Sequence, residues 1–382
     1  MTKNYIDIWL FGAFFILILV GIIMVYSASA YYAEEYFNDH FHFIKRHILW
    51  VFLGLIAMAI AYNFPYKRLV GYSIILLLMS LGILIYAAII HKRWIYFGPF
   101  HFQAVDVAKF SLILFLADSL SRKEVKLKSF SEGFFPHFFY IALFAALVVL
   151  QPDFSSASML IMVGFIVLFS APVKIRHLFV TGAAALPLMG MTILLFPYMW
   201  NRILAYLGIE DDLLGKGYQV YQSLVSLGTG GLFGVGYAES KQKMFYLPEA
   251  HTDFIFSIIG EEWGLIGSLI LTSLFMIIMF RGVKIAARAT DRFSFYLTVG
   301  ITANFVLYAL VHMMVTLDVA PPTGLPMPFI SYGGTSILFS CIYAGLLLNI
   351  ANNTFSDSAI NRHRFSQRAV ANFHSRKLKY LK

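Results

Sequence analysis

Long apolar runs separated by short polar breaks dominate the chain. The runs lie near 6–28, 47–64, 70–90, 104–120, 137–151, 155–172, 177–197, 253–280, 294–317 and 335–352. Each approaches the roughly 20 mostly apolar residues that a helix needs to cross a bilayer. The pattern predicts an all-α polytopic membrane protein of about ten transmembrane helices. Between the fifth and sixth runs stand only Gln151-Pro152-Asp153-Phe154. Proline in so short a polar break predicts a tight turn, or a hairpin dipping into the bilayer.

One interruption is much longer than the others. Residues 198–252 form a loop of about 55 residues between helices seven and eight, and ordered loops of that length usually carry function. It holds Glu210-Asp211-Asp212 and the series Gly228, Gly230, Gly231, Gly234 and Gly236. No Gly-Lys-Ser/Thr follows, so this is not a phosphate-cradling loop; close backbone packing is the expected use. Leu213 to Phe233 is apolar enough for an interfacial helix. Residues 1–352 read as one transmembrane unit, followed at 353–382 by a basic tail, either solvated beside anionic lipid or docking a cytoplasmic partner.

Composition agrees with the pattern. At 382 residues, 59% hydrophobic and 13% charged, no soluble domain would hide the apolar surface. The net charge of +9 raises nucleic acid as a partner, but the basic residues are scattered over short loops and the tail. With the N-terminus inside, segments on the inner side carry 20 Lys and Arg and those on the outer side 8. That bias puts both termini in the cytoplasm and the 198–252 loop outside. Ala28-Ser29-Ala30 resembles a signal-peptidase site, but the preceding apolar run exceeds the usual ~7–15 residues and reads as the first span. The single Cys341 excludes a disulfide framework and reads as a small buried hydrophobe.

The densest chemistry lies at the start of the eighth run, in Tyr246–Gly264, with Glu249, His251 and Asp253 at its lip and Glu261 and Glu262 inside it. Carboxylates at membrane depth are expensive and usually mark a site. Asp253 is the candidate general base; capping of the helix by Thr252 or Asp253 is the plainer alternative. Glu249, His251 and Thr252 are its supporting residues. His251 lacks a partner at a spacing such as His-x-x-x-His, so no protein metal site is assigned. Glu261 and Glu262 lie deeper and are expected to pair with a buried cation or with backbone. Asp106 and Lys109, spaced i, i+3, can meet on one face of the fourth helix and form, with Asp153, a second polar site; Asp153 can also simply cap the sixth helix. Arg93, Arg202, Lys216, Lys241 and Lys243 are either solvated or hold an anionic group at the outer face. Pro326–Ser336 contains two prolines and two glycines, and a broken backbone at membrane depth must be buried or line a cavity. Its Ser331, Tyr332 and Thr335 can offer hydroxyls to a ligand.

Several motifs resemble one family over nearly the whole chain. They are Val25-Tyr26-Ser27-Ala28-Ser29, Arg93-Trp94-Ile95, Gln151-Pro152-Asp153, Gly217-Tyr218-Gln219 with Gln222-Ser223, Leu247-Pro248-Glu249-Ala250-His251-Thr252-Asp253-Phe254 and Ile330-Ser331-Tyr332-Gly333-Gly334. On these the chain resembles the SEDS proteins (shape, elongation, division and sporulation), membrane polymerases of peptidoglycan glycan strands. Ala250 is more like the cell-division branch than the elongation branch. Where the family usually has Gln-Pro-Ser-Glu before Lys109, this chain has Gln103-Ala104-Val105-Asp106, keeping a shortened acid and losing the proline.

The resemblance implies polymerisation of lipid II at the outer face of the bacterial cytoplasmic membrane, at the division septum, beside a class B penicillin-binding protein and other divisome proteins. The family's essential acid falls on Asp253. The reaction implied is inverting glycosyl transfer with an undecaprenyl pyrophosphate leaving group. Basic residues of the outer loops, or a divalent cation such as Mg2+ or Mn2+, would stabilise that group. A lipid II flippase is the rival, since Asp106, Lys109, Glu261 and Glu262 would suit a polar path. A non-catalytic scaffold for a single-span partner is a third reading.

Overall fold

The computed structural model describes residues 6–97, 100–195, 199–200, 204, 206 and 216–355. Eleven helices are described: α1 Ile8–Phe37, α2 His42–Asn63, α3 Leu69–Ile89, α4 Ala104–Arg122, α5 Phe135–Val149, α6 Phe154–Phe169, α7 Ile175–Leu195, α8 Lys216–Gly230, α9 Ile255–Ala287, α10 Arg292–Thr316 and α11 Gly334–Phe355. All ten predicted apolar runs lie on helices. Seven helical segments among the described residues are both long and apolar enough to cross a membrane: α1, α2, α3 with the turn before it, α5 with the turn before it, α9, α10 and α11. Of the rest, α6 has 16 residues, about 24 Å of helix against a hydrocarbon core of roughly 30 Å. Helix α4 carries Asp106, Lys109, Asp118 and Arg122.

The fold is not purely helical. Trp94–Phe97 (β1) and Phe100–Gln103 (β2) form an antiparallel hairpin, with Trp94 opposite Gln103 and Ile95 opposite Phe102. Strands of four residues are too short for an alternating pattern to emerge from the surrounding apolar sequence. The hairpin leads directly into α4.

Helices α10 and α11 form the centre: 61% and 78% of their most apolar stretches are buried, against 22% for α2. Without a hydrophobic force between helices in lipid, close packing and polar ties hold such a bundle. The start of α1 shows such a tie: the Asp7 carboxylate caps Leu10 N–H at 3.2 Å and accepts the Arg281 guanidinium of α9 at 2.8 Å. Cys341 is buried, with its sulfur packed towards Gly54.

Helix α9 is broken at Gly264, whose φ of 69° and ψ of −166° leave the helical region. The freed groups are satisfied by the glycine segment after α8. Val235 and Gly236 N–H groups donate to the Glu261 and Glu262 carbonyls at 2.9 and 3.1 Å. Leu265 and Ile266 N–H groups donate to the Gly231 and Leu232 carbonyls at 2.9 and 3.2 Å. A Cβ on Gly234 would sit 2.1 Å from the Glu262 carbonyl oxygen, so only glycine allows this approach. The glycine series therefore packs backbone against backbone. Helix α8 is no mere surface element: its Ser223 and Ser226 are fully buried, bonded to the Ser257 hydroxyl (2.5 Å) and carbonyl (3.0 Å) of α9.

Candidate functional site

Asp253 stands in a tight turn just before α9. Glu249, with φ of 53°, reverses the chain, and its carbonyl accepts the N–H groups of Thr252 and Asp253 at 3.1 and 3.0 Å. The cap position of α9 is Phe254, which makes no side-chain cap bond; the capping role expected for Thr252 or Asp253 is not where the helix begins. Asp253 is half-buried. One of its carboxylate oxygens lies 3.1 Å from where a Cβ on Gly324 would be, and Gly324 has φ of +70°.

The segment after α10 is stitched over this turn. The Ser331 hydroxyl donates to the Thr252 carbonyl at 2.6 Å and accepts Met327 N–H at 2.8 Å. Tyr332 N–H donates to the His251 carbonyl at 3.0 Å. The broken Pro326–Ser336 backbone is thus pinned to the turn that carries Asp253, and the Ser331 hydroxyl is taken up in holding it there.

The supporting residues divide. The Glu249 carboxylate is exposed and accepts the Thr252 hydroxyl at 2.8 Å. His251 is buried among rings, 4.7 Å from Phe43 and 5.8 Å from both Tyr32 and Tyr332 by centroid. Burial pushes its pKa below the ordinary 6.5, with Glu249 pulling the other way. The Tyr332 phenol is pushed up by burial, opposed by the nearby Arg46 guanidinium. Arg46 is a cation at the site that the sequence reading had left as an ordinary loop charge. Its only signal was its place just inside α2, on the same side as the 198–252 loop.

A second polar cluster is buried behind the first. Lys109 pairs with Asp106 at 2.9 Å, as the i, i+3 spacing allows, and its ammonium stands 4.2 Å over the Tyr308 ring. The Thr335 hydroxyl donates to Asp106 at 2.8 Å and accepts Gln103 N–H at 3.3 Å. The Gln103 amide donates to Asp153 at 3.1 Å, while Asp153 caps α6 through Ser156 N–H, also at 3.1 Å. The structure therefore brings Asp106, Lys109 and Asp153 into one network linked by Gln103 and Thr335, so the Thr335 hydroxyl, expected to face a ligand, is engaged here instead.

The deeper acids of α9 have the kinds of partner expected. Glu261 accepts the Ser226 and Ser240 hydroxyls and Lys241 N–H at 2.9, 2.6 and 2.9 Å. Glu262 accepts the Lys243 ammonium at 2.7 Å and the Ser27 hydroxyl at 2.6 Å. Lys243 is thus neither solvated nor open to an anion, because a buried carboxylate demands its charge. Lys241 is exposed and Arg93 half-buried at the base of the β hairpin. Arg202 and the Lys216 side chain lie outside the described residues, as do Glu210–Asp212 and residues 356–382 of the basic tail. Among the described residues no three His, Cys, Asp or Glu side chains gather as a metal would require.

Comparisons with known proteins place this arrangement among relatives. A family model described as "Cell cycle protein", covering FtsW, RodA and SpoVE, matches residues 8–355. A protein of Geobacter sp. (strain M18) named probable peptidoglycan glycosyltransferase FtsW is 38% identical over 346 residues, 88% of this chain and 94% of that protein. Stage V sporulation protein E of Bacillus subtilis (strain 168) is 36% identical over 344 residues, covering 88% and 94%. Among solved structures, a chain from a peptidoglycan synthase complex that coordinates polymerization and crosslinking superposes with a TM-score of 0.73. It is 25% identical and covers 92% of this chain and 98% of that one. The rod shape determining protein RodA of Thermus thermophilus gives 0.68 at 23% identity, covering 93% and 99%, which speaks to the fold alone.

Proposed function

The chain belongs to the FtsW/RodA/SpoVE family of cell cycle proteins, and from that premise we propose that it is a peptidoglycan glycosyltransferase polymerising lipid II at the outer face of the membrane. The observation that carries the reading is the setting of Asp253. A half-buried carboxylate sits in a rigid turn at a helix start, roofed by the 324–332 segment and close to the broken backbone there. Partial desolvation and a fixed position suit a general base.

In this reading Asp253 takes the proton of the acceptor sugar's 4-hydroxyl. The oxygen attacks the anomeric carbon of the donor strand, and the pyrophosphate leaves on the opposite side with inversion. Arg46, Arg93 and Lys241, with Arg202 and Lys216, are the cations offered to the leaving group, and a divalent ion is a further source of charge. The Asp106–Lys109 network supports the site by holding α4, α6 and the start of α11 together. Replacement of Asp253 by Asn in the purified protein, with lipid II as substrate, should lower polymerisation by roughly 10²–10⁴-fold. Full activity in that variant would overturn the reading.

We place the protein in the division branch, working at the septum with a class B penicillin-binding protein and divisome proteins. The FtsW names of its relatives and Ala250 support this. Depletion in the native cell should give filaments; spheres would assign it to elongation. The flippase reading gains little support: its path would need Asp106, Lys109, Glu261 and Glu262 to line a channel, whereas each is bonded to protein partners.

A further inference from the structure

Beside Asp253 lies a set of aromatic side chains to which the reaction assigns no part. Helix α1 has 30 residues, about 45 Å of helix, against roughly 30 Å of hydrocarbon core. Its start is anchored by the Asp7–Arg281 pair, so its last turns rise beyond the hydrocarbon at the outer end. Those turns carry Tyr32 and Tyr36, which are 38% and 62% exposed and lie next to the charged Glu34 and Glu35. A belt of aromatics anchoring a helix belongs at the lipid interface, not on a charged projection past it.

The rings form a connected series. Tyr332 and Phe43 touch the His251 ring, at 5.8 and 4.7 Å by centroid; His251 touches Tyr32 at 5.8 Å; Tyr32 touches Tyr36 at 4.5 Å and Phe245 at 6.3 Å. His251 is two residues from Asp253, so the series begins at the site and ends in exposed rings, Phe245 being 47% exposed. Exposed apolar patches of this kind mark binding surfaces. Flat rings flanked by carboxylates fit the apolar C–H face of a pyranose and its rim of hydroxyls. A partner helix would instead call for aliphatic pockets, whereas the exposed end of the series, Tyr32, Tyr36 and Phe245, offers flat ring faces.

We propose that this aromatic series is a binding track for the sugar rings of the glycan strand, running from Asp253 along the outer end of α1. The proposal rests on the glycosyltransferase reading and names where the polymer is held. Loss of one stacked ring should weaken the hold roughly fivefold.

The test uses the full-length chain in nanodiscs with Tyr36→Leu, Phe245→Leu and the double variant. Leucine keeps apolar bulk and removes the flat face. Binding of lipid-free N-acetylglucosamine–N-acetylmuramic acid oligomers is measured by saturation-transfer NMR in the Asp253→Asn background, where nothing is polymerised. Strand length from lipid II is measured on gels in the native background. Oligomer binding weakened about fivefold per ring and about 25-fold in the double variant, with shorter strands, supports the track. Unchanged oligomer binding and strand length overturn it, whatever Asp253→Asn does to catalysis. Unchanged oligomer binding with loss of a co-purifying transpeptidase also overturns it, making the patch a protein interface.

Discussion

Asp253 and Glu262 carry the same charge nine residues apart, yet their settings are opposite. Glu262 is fully buried, paired with Lys243 and Ser27 that reach it from the segment between α8 and α9 and from α1. Asp253 is half-buried in a turn, with the positive-φ Gly324 backbone packed towards its carboxylate. A carboxylate enclosed with a cation is committed to holding the fold together. One held half-buried in a turn outside the helix is placed where a reacting group can approach it. Position along a helix does not assign a role to an intramembrane acid; the identity of what surrounds it does.

The contrast breaks most sharply on activity. Asp253→Asn should cost roughly 10²–10⁴ in polymerisation with unfolding unchanged, read by lipid II turnover and by thermal melting of the same preparation. An equal loss of melting temperature would return Asp253 to a structural role. Next, Lys243→Met strands the Glu262 charge and should destabilise by about 3–5 kcal/mol, while Lys243→Met with Glu262→Leu should recover most of that, as buried pairs replaced by apolar groups usually do. Denaturant titration of the two variants checks the pair; equal stability of both would mean the pair is not the anchor it looks like.

Gly324→Ala sharpens the Asp253 side. The added methyl meets the carboxylate at 3.1 Å and strains a φ of +70°, so about 1–2 kcal/mol of stability and roughly tenfold in rate should be lost. Gly324→Asn, which tolerates positive φ better, separates backbone strain from the steric push. The smallest effect is at His251. Its native pKa lies below 6.5, so the unfolded chain takes up the proton first. Its contribution is therefore intact above about pH 6.5 and falls as pH drops from there towards the native pKa. The wild-type melting temperature should decline more steeply below pH 6.5 than that of His251→Phe; parallel curves would show that the ring is not held neutral by its pocket.

Much of the scaffold was legible because spanning helices declare themselves by length and apolarity, and all ten runs proved helical. The Asp106–Lys109 pair was legible because helical geometry alone joins residues three apart. The β hairpin was not, since four-residue strands leave no periodicity, nor was the partnership of Lys243 with Glu262, set by how the outer loop folds back. Arg46 and Gly324 escaped because they reach Tyr332 and Asp253 from α2 and from the segment before α11, far away in sequence.

The splice at Gly264 has a consequence for how this chain tolerates change in length. Surface loops usually accept an extra residue without penalty. Between Leu232 and Val235 one insertion would put the two backbone bonds on one side out of register with the two on the other, at a break in α9. If that break lies at membrane depth, no water is there to replace them. This stretch, which looks in the sequence like a flexible glycine linker, is instead among the places where the chain can least afford to grow.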